Sequence, residues 1–312
     1  MKPTLYVLCG LQGSGKSTYA KHFQRAMNGD EAIVIASSDE VRKQYPDAKN
    51  ETVFQFVYQM ANDALADGKS VIIDATNITI KSRRQVFANI KVDCEKICVV
   101  FCTPYKECVK RVQARNALSV ATGDHIVPLD VLERYYKSFE VPFKEEGWDN
   151  IWFSGFMRFK EDTGSDAEII ARLVKRADGF DQQNKHHTQD LGDHMRATGD
   201  FLARQYPKEL AVVRAGYLHD VGKLFTQTFG EDGQAHYYSH ANVGAYEILS
   251  RVFMQTDWLD VIFYVNYHMH LYNIQSDKAE KKWERIFGYE KWQMLKMLHE
   301  ADMNSHTKGE TK

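Results

Sequence analysis

The 312-residue sequence has no long apolar run, so we expect no membrane-spanning segment. It also has no charged leader before an apolar stretch. The apolar start LYVLCG instead runs directly into a glycine-rich loop, which predicts a cytoplasmic protein without a membrane partner. The sequence also has no internal repeat and no low-complexity segment.

Paired cysteines and a strong net charge are lacking as well. The cysteines show no C-x-x-C spacing, which predicts reduced thiols and argues against a disulfide framework; they are Cys9, Cys94, Cys98, Cys102 and Cys108. The net charge is −2, so the field of the whole molecule would not attract a polyanion. Any contact with nucleic acid must therefore come from local basic patches.

What the chain does contain predicts two domains of different class. Short apolar runs alternate with amphipathic segments through the first half, which predicts an α/β domain with a parallel sheet flanked by helices. The runs are LYVLCG, AIVIASS, SVIIDAT, KICVVFC and NIWFSG. After about residue 155 the strand-like runs stop, and all but His22 and His125 of the 12 histidines lie beyond Asp181. We expect an α/β domain over 1–158, a connecting segment over 159–180 and an all-α domain over 181–312.

A glycine-rich loop follows the first predicted strand. Gly10, Gly15, Lys16 and Ser17 match the pattern G-x-x-x-x-G-K-S/T between a strand and a helix, which is typical of a phosphate-binding loop. Its backbone amides would face phosphate oxygens, Lys16 would reach the β- and γ-phosphates, and Ser17 would ligate Mg²⁺. The predicted cofactor is ATP or another nucleoside triphosphate with Mg²⁺, held by Gly10, Gly13, Ser14, Gly15, Lys16, Ser17 and Thr18.

Two polar clusters follow the next predicted strands. Asp39 and Arg42 are three residues apart, so they share a helix face where a carboxylate could accept the proton of an attacking hydroxyl. The alternative is a helix N-cap beside a surface arginine. Asp74 and Asn77 lie in DATN at the end of the third predicted strand, the edge where sheets of this type place their active sites. The alternative is an ordinary turn at the end of a strand.

A pair of arginines follows in YKECVKRVQARN. Arg111 and Arg115 are four residues apart, so they lie on one face of a predicted helix. They would either close over transferring phosphates or form a solvated surface.

Together these motifs resemble the P-loop polynucleotide 5′-hydroxyl kinases, over about residues 1–155. The resemblance implies that Asp39 is the general base and that Arg42 binds an acceptor phosphate. It implies that Arg111 and Arg115 contact the donor phosphates from a lid, and that Asp74 helps to organise the acceptor site. Kinases of small metabolites share the loop and the lid, so the polynucleotide assignment depends chiefly on Asp39, Arg42 and DATN.

The second half contains an ordered set of metal-ligand residue types, each in a segment with a helical pattern. The set is His194, His219, Asp220, His240, His268 and Asp302. Imidazoles and carboxylates of this kind could hold one or two divalent metals, with the Asp220 carboxylate bridging two ions. Taken one at a time, each histidine could equally be a satisfied core residue. Gly222 would allow close helix approach and Lys223 could meet a substrate phosphate.

This half resembles the HD phosphohydrolase superfamily over about residues 183–305, on NKHHTQDLGDH and LHDVGKLFTQTF. The resemblance implies that His194, His219, Asp220 and Asp302 are the core metal ligands. It adds His240 and His268 in members with two ions, and His187 at a position that points into the site in some members. His270 is a rival for His268. Zinc would suit the imidazoles, and family members often use Mn²⁺, Ni²⁺ or Co²⁺.

A kinase and a phosphohydrolase serve one substrate if they act on different ends of it. The leading hypothesis is repair of nucleic-acid ends, RNA in preference to DNA: phosphorylation of a 5′-hydroxyl, and hydrolysis of a 2′,3′-cyclic phosphate or 3′-phosphate, which prepares both ends for a ligase. The alternatives are a nucleoside or other small-molecule kinase joined to a nucleotidase, and a nucleotide-sensing regulator that binds RNA. The number of chains in the assembly is open.

Overall fold

A computed structural model describes residues 2–27, 33–122, 126–155, 165–183, 189–252 and 256–306. The chain divides into two compact units. The first comprises Met1–Tyr135 and Pro142–Met157, and the second comprises Tyr136–Val141 and Arg158–Lys312. Within the described ranges, no helix is both long and apolar enough to cross a membrane.

The first unit is built on a parallel sheet of five strands in the order β2-β3-β1-β4-β5. The strands are β1 (Thr4–Cys9), β2 (Ile33–Ser37), β3 (Ser70–Asp74), β4 (Glu95–Phe101) and β5 (Asn150–Ser154). The connecting helices are α1 (Lys16–Ala26), α2 (Ser38–Gln44), α3 (Asn50–Ala66), α4 (Ile80–Asn89), α5 (Tyr105–Thr122) and α6 (Leu129–Lys137). A 3-10 turn covers Lys144–Glu146.

The strand order brings the polar loops of this unit to one edge. β1 lies at the centre, β3 pairs with it and β2 pairs with β3, with Ser37 opposite Asp74 at the carboxyl ends. Tyr19 and Phe23 of α1 pack on apolar side chains of the sheet, including Tyr6, and this anchors the helix that follows the glycine loop. Since parallel strands all end at the same edge, the loops after β1, β2 and β3 meet there.

The second unit is mainly helical, as the sequence predicts. Its helices are α7 (Asp166–Lys175), α8 (Leu191–Gln205), α9 (Leu210–Gly216), α10 (Lys223–Thr226), α11 (His240–Leu249), α12 (Thr256–Tyr267), α13 (Asp277–Phe287) and α14 (Tyr289–His306). A 3-10 helix covers His268–Asn273. A small antiparallel hairpin, β6 (Thr228–Phe229) and β7 (Ala235–His236), adds an element that the sequence does not predict.

One sequence expectation about this unit is wrong. His219 and Asp220 do not lie on a helix: α9 ends at Gly216, α10 begins at Lys223, and the residues between form consecutive turns. The break accompanies close packing against α11. A Cβ atom on Gly222 would lie 1.9 Å from the carbonyl oxygen of His240, so only glycine fits at this contact.

Residues 136–141 belong to the second unit although they precede β5 in the chain. We call this segment the strap. Tyr136, Phe139 and Val141 are buried in it. The Phe139 carbonyl accepts hydrogen bonds from the side-chain amides of Asn242 and Asn266, which lie on α11 and α12.

Candidate functional site

The glycine loop has the backbone conformation that its sequence predicts. Gly13 and Gly15 have φ values of 78° and 98°, a region in which side chains with a Cβ are strained. A Cβ on Gly13 would also lie 2.7 Å from the backbone oxygen of Cys108. Gly15 is the N-cap of α1, so the loop presents the amino end of that helix.

Lys16 is buried against its own loop. Its Nζ donates to the carbonyl oxygens of Gly10 (3.0 Å) and Leu11 (2.7 Å). Burial lowers the pKa of Lys16, and the nearby carboxylate of Asp74 opposes that shift. The loop therefore holds a cation where phosphate oxygens would enter.

Asp74 lies beside Ser17 at the carboxyl end of β3. Burial raises the pKa of Asp74, while a hydrogen bond from the Ser17 hydroxyl and the charge of Lys16 lower it. The charge of Asp39 acts on the same carboxyl group. A hydroxyl and a carboxylate in contact are the oxygen donors that Mg²⁺ prefers, so these two side chains fit a magnesium ion.

Asp39 is not a helix cap. The N-cap of α2 is Ser37, whose side chain accepts from the backbone N–H of Glu40. The Asp39 carboxylate is exposed, 3.6 Å from Nη1 of Arg42. The Arg42 guanidinium also donates to Asn50 Oδ1 at 2.5 Å, which holds it on α3. An exposed carboxylate beside an anchored arginine suits an acceptor hydroxyl with a neighbouring phosphate.

A buried ion pair between Arg83 and Glu146 holds the DATN turn in place. Asn77 adopts a positive φ of 44° and its side chain donates to the Leu8 carbonyl. Arg83, fully buried, donates to the Asn77 carbonyl and makes two hydrogen bonds, of 2.7 and 2.6 Å, to Glu146. Sequence reasoning missed this pair because its members are separated by 63 positions.

The arginines of α5 differ in placement. Arg111 Nε bonds to Glu107 (2.8 Å), and its Nη1 donates to the Gly13 carbonyl (3.4 Å), so it lies against the glycine loop. Arg115 is exposed. Of the loop's hydroxyl residues, Ser14 is buried, whereas Thr18 is exposed on α1.

The second unit gathers all six predicted metal-ligand residues into two adjoining triads. One triad is His194, His219 and Asp302; the other is Asp220, His240 and His268. In each triad the donor atoms lie within 4.8 Å of one another, and all six residues are buried. They come from α8, the turn before α10, the start of α11, the 3-10 helix and α14.

Asp220 joins the triads. Its Oδ2 lies 3.4 Å from Nε2 of both His194 and His219, and its Oδ1 lies 3.2 Å from Nε2 of His240 and 3.7 Å from that of His268. One oxygen faces each triad, which is the arrangement expected of a carboxylate that bridges two metal ions.

The histidines are held so that Nε2 points into the cluster. Nδ1 of His219, His240 and His268 bonds to the backbone carbonyl three residues earlier, at 2.8–2.9 Å. His194 Nδ1 bonds instead to the Ser305 hydroxyl at 3.0 Å. Fixing Nδ1 as the protonated nitrogen leaves Nε2 as the metal donor, so the residues fit one or two divalent transition metals.

The electrostatics of the cluster favour a cation. Burial alone would lower the pKa of His219, but the carboxylates of Asp220 and Asp302 raise it to about 10. Burial would raise the pKa of Asp220, yet Lys223 and the histidines hold it well below its usual range. Burial lowers the pKa of His268. A metal ion would take the place of the protons that this cluster otherwise attracts.

Lys223 is buried and contacts the cluster through Asp220. Its Nζ is 2.7 Å from Asp220 Oδ2 and donates to Gln182 Oε1 at 2.9 Å. The Tyr272 hydroxyl donates to Asp302 Oδ2 at 2.7 Å. Sequence reasoning did not single out Tyr272, Gln182 or Ser305, because their residue types carry no metal signal.

His270 lies outside the two triads, among Tyr267, Trp283 and Phe287. Burial lowers its pKa to about 4. His187 falls outside the residues that the structure describes.

Comparison with known families matches both halves of the chain. Residues 5–142 match a model described as an AAA domain, and residues 191–302 match the HD domain model. Each half of the chain is therefore similar to a different domain family, the AAA domain in the first half and the HD domain in the second.

Individual relatives cover only part of the chain. The L-seryl-tRNA(Sec) kinase of Methanococcus maripaludis is 30% identical over 154 residues, which is 46% of this chain and 56% of that protein. The chain thus spans about half the length of this curated relative.

Solved structures show partial likenesses. A chain of the Pnkp1/Rnl/Hen1 RNA repair complex is 27% identical, with 43% of this chain and 42% of that chain covered and a TM-score of 0.37. A fungal RNA kinase is 16% identical, with 58% and 88% covered and a TM-score of 0.37.

Proposed function

We propose that this chain repairs the ends of broken nucleic-acid strands, RNA in preference to DNA. The P-loop domain would phosphorylate a 5′-hydroxyl with ATP, and the HD domain would remove a 2′,3′-cyclic phosphate or a 3′-phosphate. One observation carries the proposal: each unit holds its own set of reactive groups, a phosphate loop with Lys16, Ser17 and Asp74 in one and the paired triads in the other. Adding and removing phosphate are compatible when they occur at opposite sides of a break.

In the kinase site, each side chain has a task that its geometry suits. Lys16, which now donates to loop carbonyls, would turn to the β- and γ-phosphates. Ser17 and Asp74 would hold Mg²⁺. The exposed Asp39 would take the proton of the attacking hydroxyl, and Arg42 would bind the acceptor's phosphate. Arg111, which touches the loop, and Arg115 would bind the donor phosphates.

In the HD site, the triads would hold two ions with the Asp220 carboxylate between them. Bound ions would supply an activated water and neutralise phosphoryl charge. The protein's own part is to orient the four imidazoles through Nδ1 and to hold the Lys223 ammonium beside Asp220, where it would meet a phosphoryl oxygen. The identity of the ions, among Mn²⁺, Ni²⁺, Co²⁺ and Zn²⁺, is open to a metal titration.

The curated relative supports an RNA-borne acceptor and gives a second candidate. It is named for an acceptor carried by a tRNA, and this chain is 30% identical to it over 154 residues. The second candidate is therefore a kinase that phosphorylates a seryl group on tRNA. Supplying seryl-tRNA as a competing acceptor in the kinase assay separates the two.

The test is product analysis on an RNA with 5′-hydroxyl and 2′,3′-cyclic phosphate ends, supplied with ATP, Mg²⁺ and Mn²⁺. We expect Lys16→Ala to abolish 5′ phosphorylation and spare 3′ processing, and Asp220→Ala to do the reverse. Lys21→Ala and Asp232→Ala, at exposed positions, serve as matched controls. Phosphorylation of free nucleosides or seryl-tRNA alone, with RNA ends untouched, would exclude the proposal.

A further inference from the structure

A pair of stacked rings, of which Tyr238 is the exposed member, shortly precedes the metal-ligand residue His240 in the chain. The rings of His236 and Tyr238 are 5.4 Å apart between centroids and 9° from parallel. Tyr238 is 70% exposed, a large aromatic surface left to solvent. His236 ends the second strand of the hairpin, and Tyr238 follows it by two positions.

Tyr237, the residue between the two rings, contacts residues in and beside the metal-ligand cluster. The Tyr237 hydroxyl donates to the Gln182 carbonyl at 2.8 Å, and the Tyr237 carbonyl accepts from His240 Nδ1 at 2.8 Å. The Lys223 ammonium lies 5.5 Å from the Tyr237 ring. Tyr237 is thus fixed on the side of the metal ligands while its neighbours form the exposed stack.

The turn into α11 sets the distance between stack and cluster. Ser239 adopts a left-handed φ of 62°, and His240 follows it as the first residue of the helix. Two residues span at most about 7 Å, so the Tyr238 backbone lies within about 7 Å of the backbone of the metal-ligand residue His240. A phosphate in the cluster and a base on the stack could belong to one nucleotide.

We propose that the His236–Tyr238 stack is the subsite for the nucleobase of the nucleotide that carries the scissile phosphate. The proposal rests on the function proposed above and specifies what the HD site recognises besides phosphate. An aromatic face accepts every base, because each base has a π-face, so the subsite would bind strand ends without reading their sequence. His236 stacks on the tyrosine ring, and the Tyr238 side chain remains 70% exposed for contact with a base.

The experiment compares the wild type with Tyr238→Ala and Tyr238→Phe on three substrates. They are an oligoribonucleotide with a 3′-phosphate, the same strand with an abasic terminal residue, and glycerol 2-phosphate. Stacking on aromatic side chains corresponds to about 5- to 150-fold per base. We expect Tyr238→Ala to raise KM by that factor on the strand with a terminal base, with kcat unchanged, and to leave the other two substrates unaffected. Tyr238→Phe should behave as the wild type.

Phe229 offers the matched control. It lies on the same hairpin and is 57% exposed, but it is outside the His236–Tyr238 stack. Phe229→Ala should leave all three KM values unchanged. As a measurement without catalysis, 2-aminopurine placed last in a 3′-hydroxyl product should lose fluorescence on binding the wild type and the phenylalanine variant but not Tyr238→Ala.

The outcomes separate this proposal from the one beneath it. An unchanged KM for Tyr238→Ala, or an equal loss on the abasic strand, overturns the base subsite while end repair stands. Hydrolysis of glycerol 2-phosphate by a wild type that leaves nucleic-acid ends intact overturns both.

Discussion

His194 differs from the other histidines of the cluster in what holds its ring. His219, His240 and His268 use backbone carbonyls of their own turns, which a side-chain substitution cannot remove. His194 depends on the Ser305 hydroxyl, which in turn donates to the Asp302 carbonyl at 2.6 Å. One serine thus orients a ligand on α8 from the turn of α14 that carries another ligand.

Ser305→Ala should therefore weaken metal binding at the triad of His194, His219 and Asp302. Removing a hydrogen-bond partner of a ligand histidine costs about 10- to 100-fold in metal affinity. Calorimetric titration of the metal-free protein with Mn²⁺ would measure the loss. Ser250→Ala is the control. Ser250 is also buried, and its hydroxyl donates to the backbone carbonyl of Glu247, which is not a metal-ligand residue. Equal binding by the two variants would contradict the role of Ser305.

His270 predicts an acid-sensitive step in stability. Burial lowers its folded pKa to about 4, below the unfolded value of about 6.5. Between these values the unfolded chain binds a proton that the folded chain excludes, so the free energy of unfolding falls as the pH drops from about 6.5 to 4. His270→Phe should flatten this slope, measured by urea unfolding across that range. The same change at exposed His22 should not, and a slope unaltered in His270→Phe would refute the assignment.

At the scale of elements, the strap is hydrogen-bonded to α11 and α12, the two helices adjacent to the ligands His240 and His268. Asn266, two residues before His268, accepts from the Val141 N–H at 2.6 Å and donates to the Phe139 carbonyl at 3.1 Å. Tyr136 donates to Glu247 on α11 at 2.6 Å. Residues that precede β5 thus help to position ligands encoded more than a hundred positions later.

Asn266→Ala should loosen the His240–His268 triad more than its neighbour. Both hydrogen bonds to the strap are lost, and the loss of buried hydrogen bonds costs about 1–3 kcal/mol of unfolding free energy. In the metal titration, we expect about 10-fold weaker binding of one of two ions. Asn273→Ala removes an exposed side-chain hydrogen bond within the following 3-10 helix. It should change neither the free energy of unfolding nor the metal affinity. Equal weakening of both ions would show that the strap serves general stability only.

Some structural elements could be predicted from the sequence and others could not. The central strands β1 and β3 were predictable because strands buried on both faces read as apolar runs, as SVIID does in β3. The turn at His219 and Asp220 was not, since it packs through Gly222 on the backbone of α11, a contact that no local pattern shows. The Arg83–Glu146 pair and the strap escaped for the same reason: each is fixed by packing partners that no local pattern encodes.

The predicted metal-ligand residues, in contrast, carry chemical identities that are readable without a fold. Histidine and aspartate are rarely buried without partners, so an ordered set of them signalled a shared centre. Their orienting partners, Ser305 and Tyr272, have no such signal and become visible only through distances.

At the scale of the whole molecule, the two sites should differ in the ion that restores them. The kinase site offers the oxygens of Ser17 and Asp74, the donors that suit Mg²⁺. The HD site offers four imidazoles with its carboxylates, a set that suits softer transition metals. One chain therefore carries two metal requirements that chelation can separate.

The protein is first stripped of metal with EDTA, and the EDTA is then removed. We expect Mg²⁺ alone, with ATP present, to restore 5′ phosphorylation but not 3′ processing. Adding Mn²⁺ should restore 3′ processing without ATP. The Asp220→Ala variant, treated in parallel, should regain only the kinase activity, because its two triads have lost the carboxylate that joins them. Recovery of both activities to the same extent with Mg²⁺ alone would mean that the HD site does not select ions through its imidazoles.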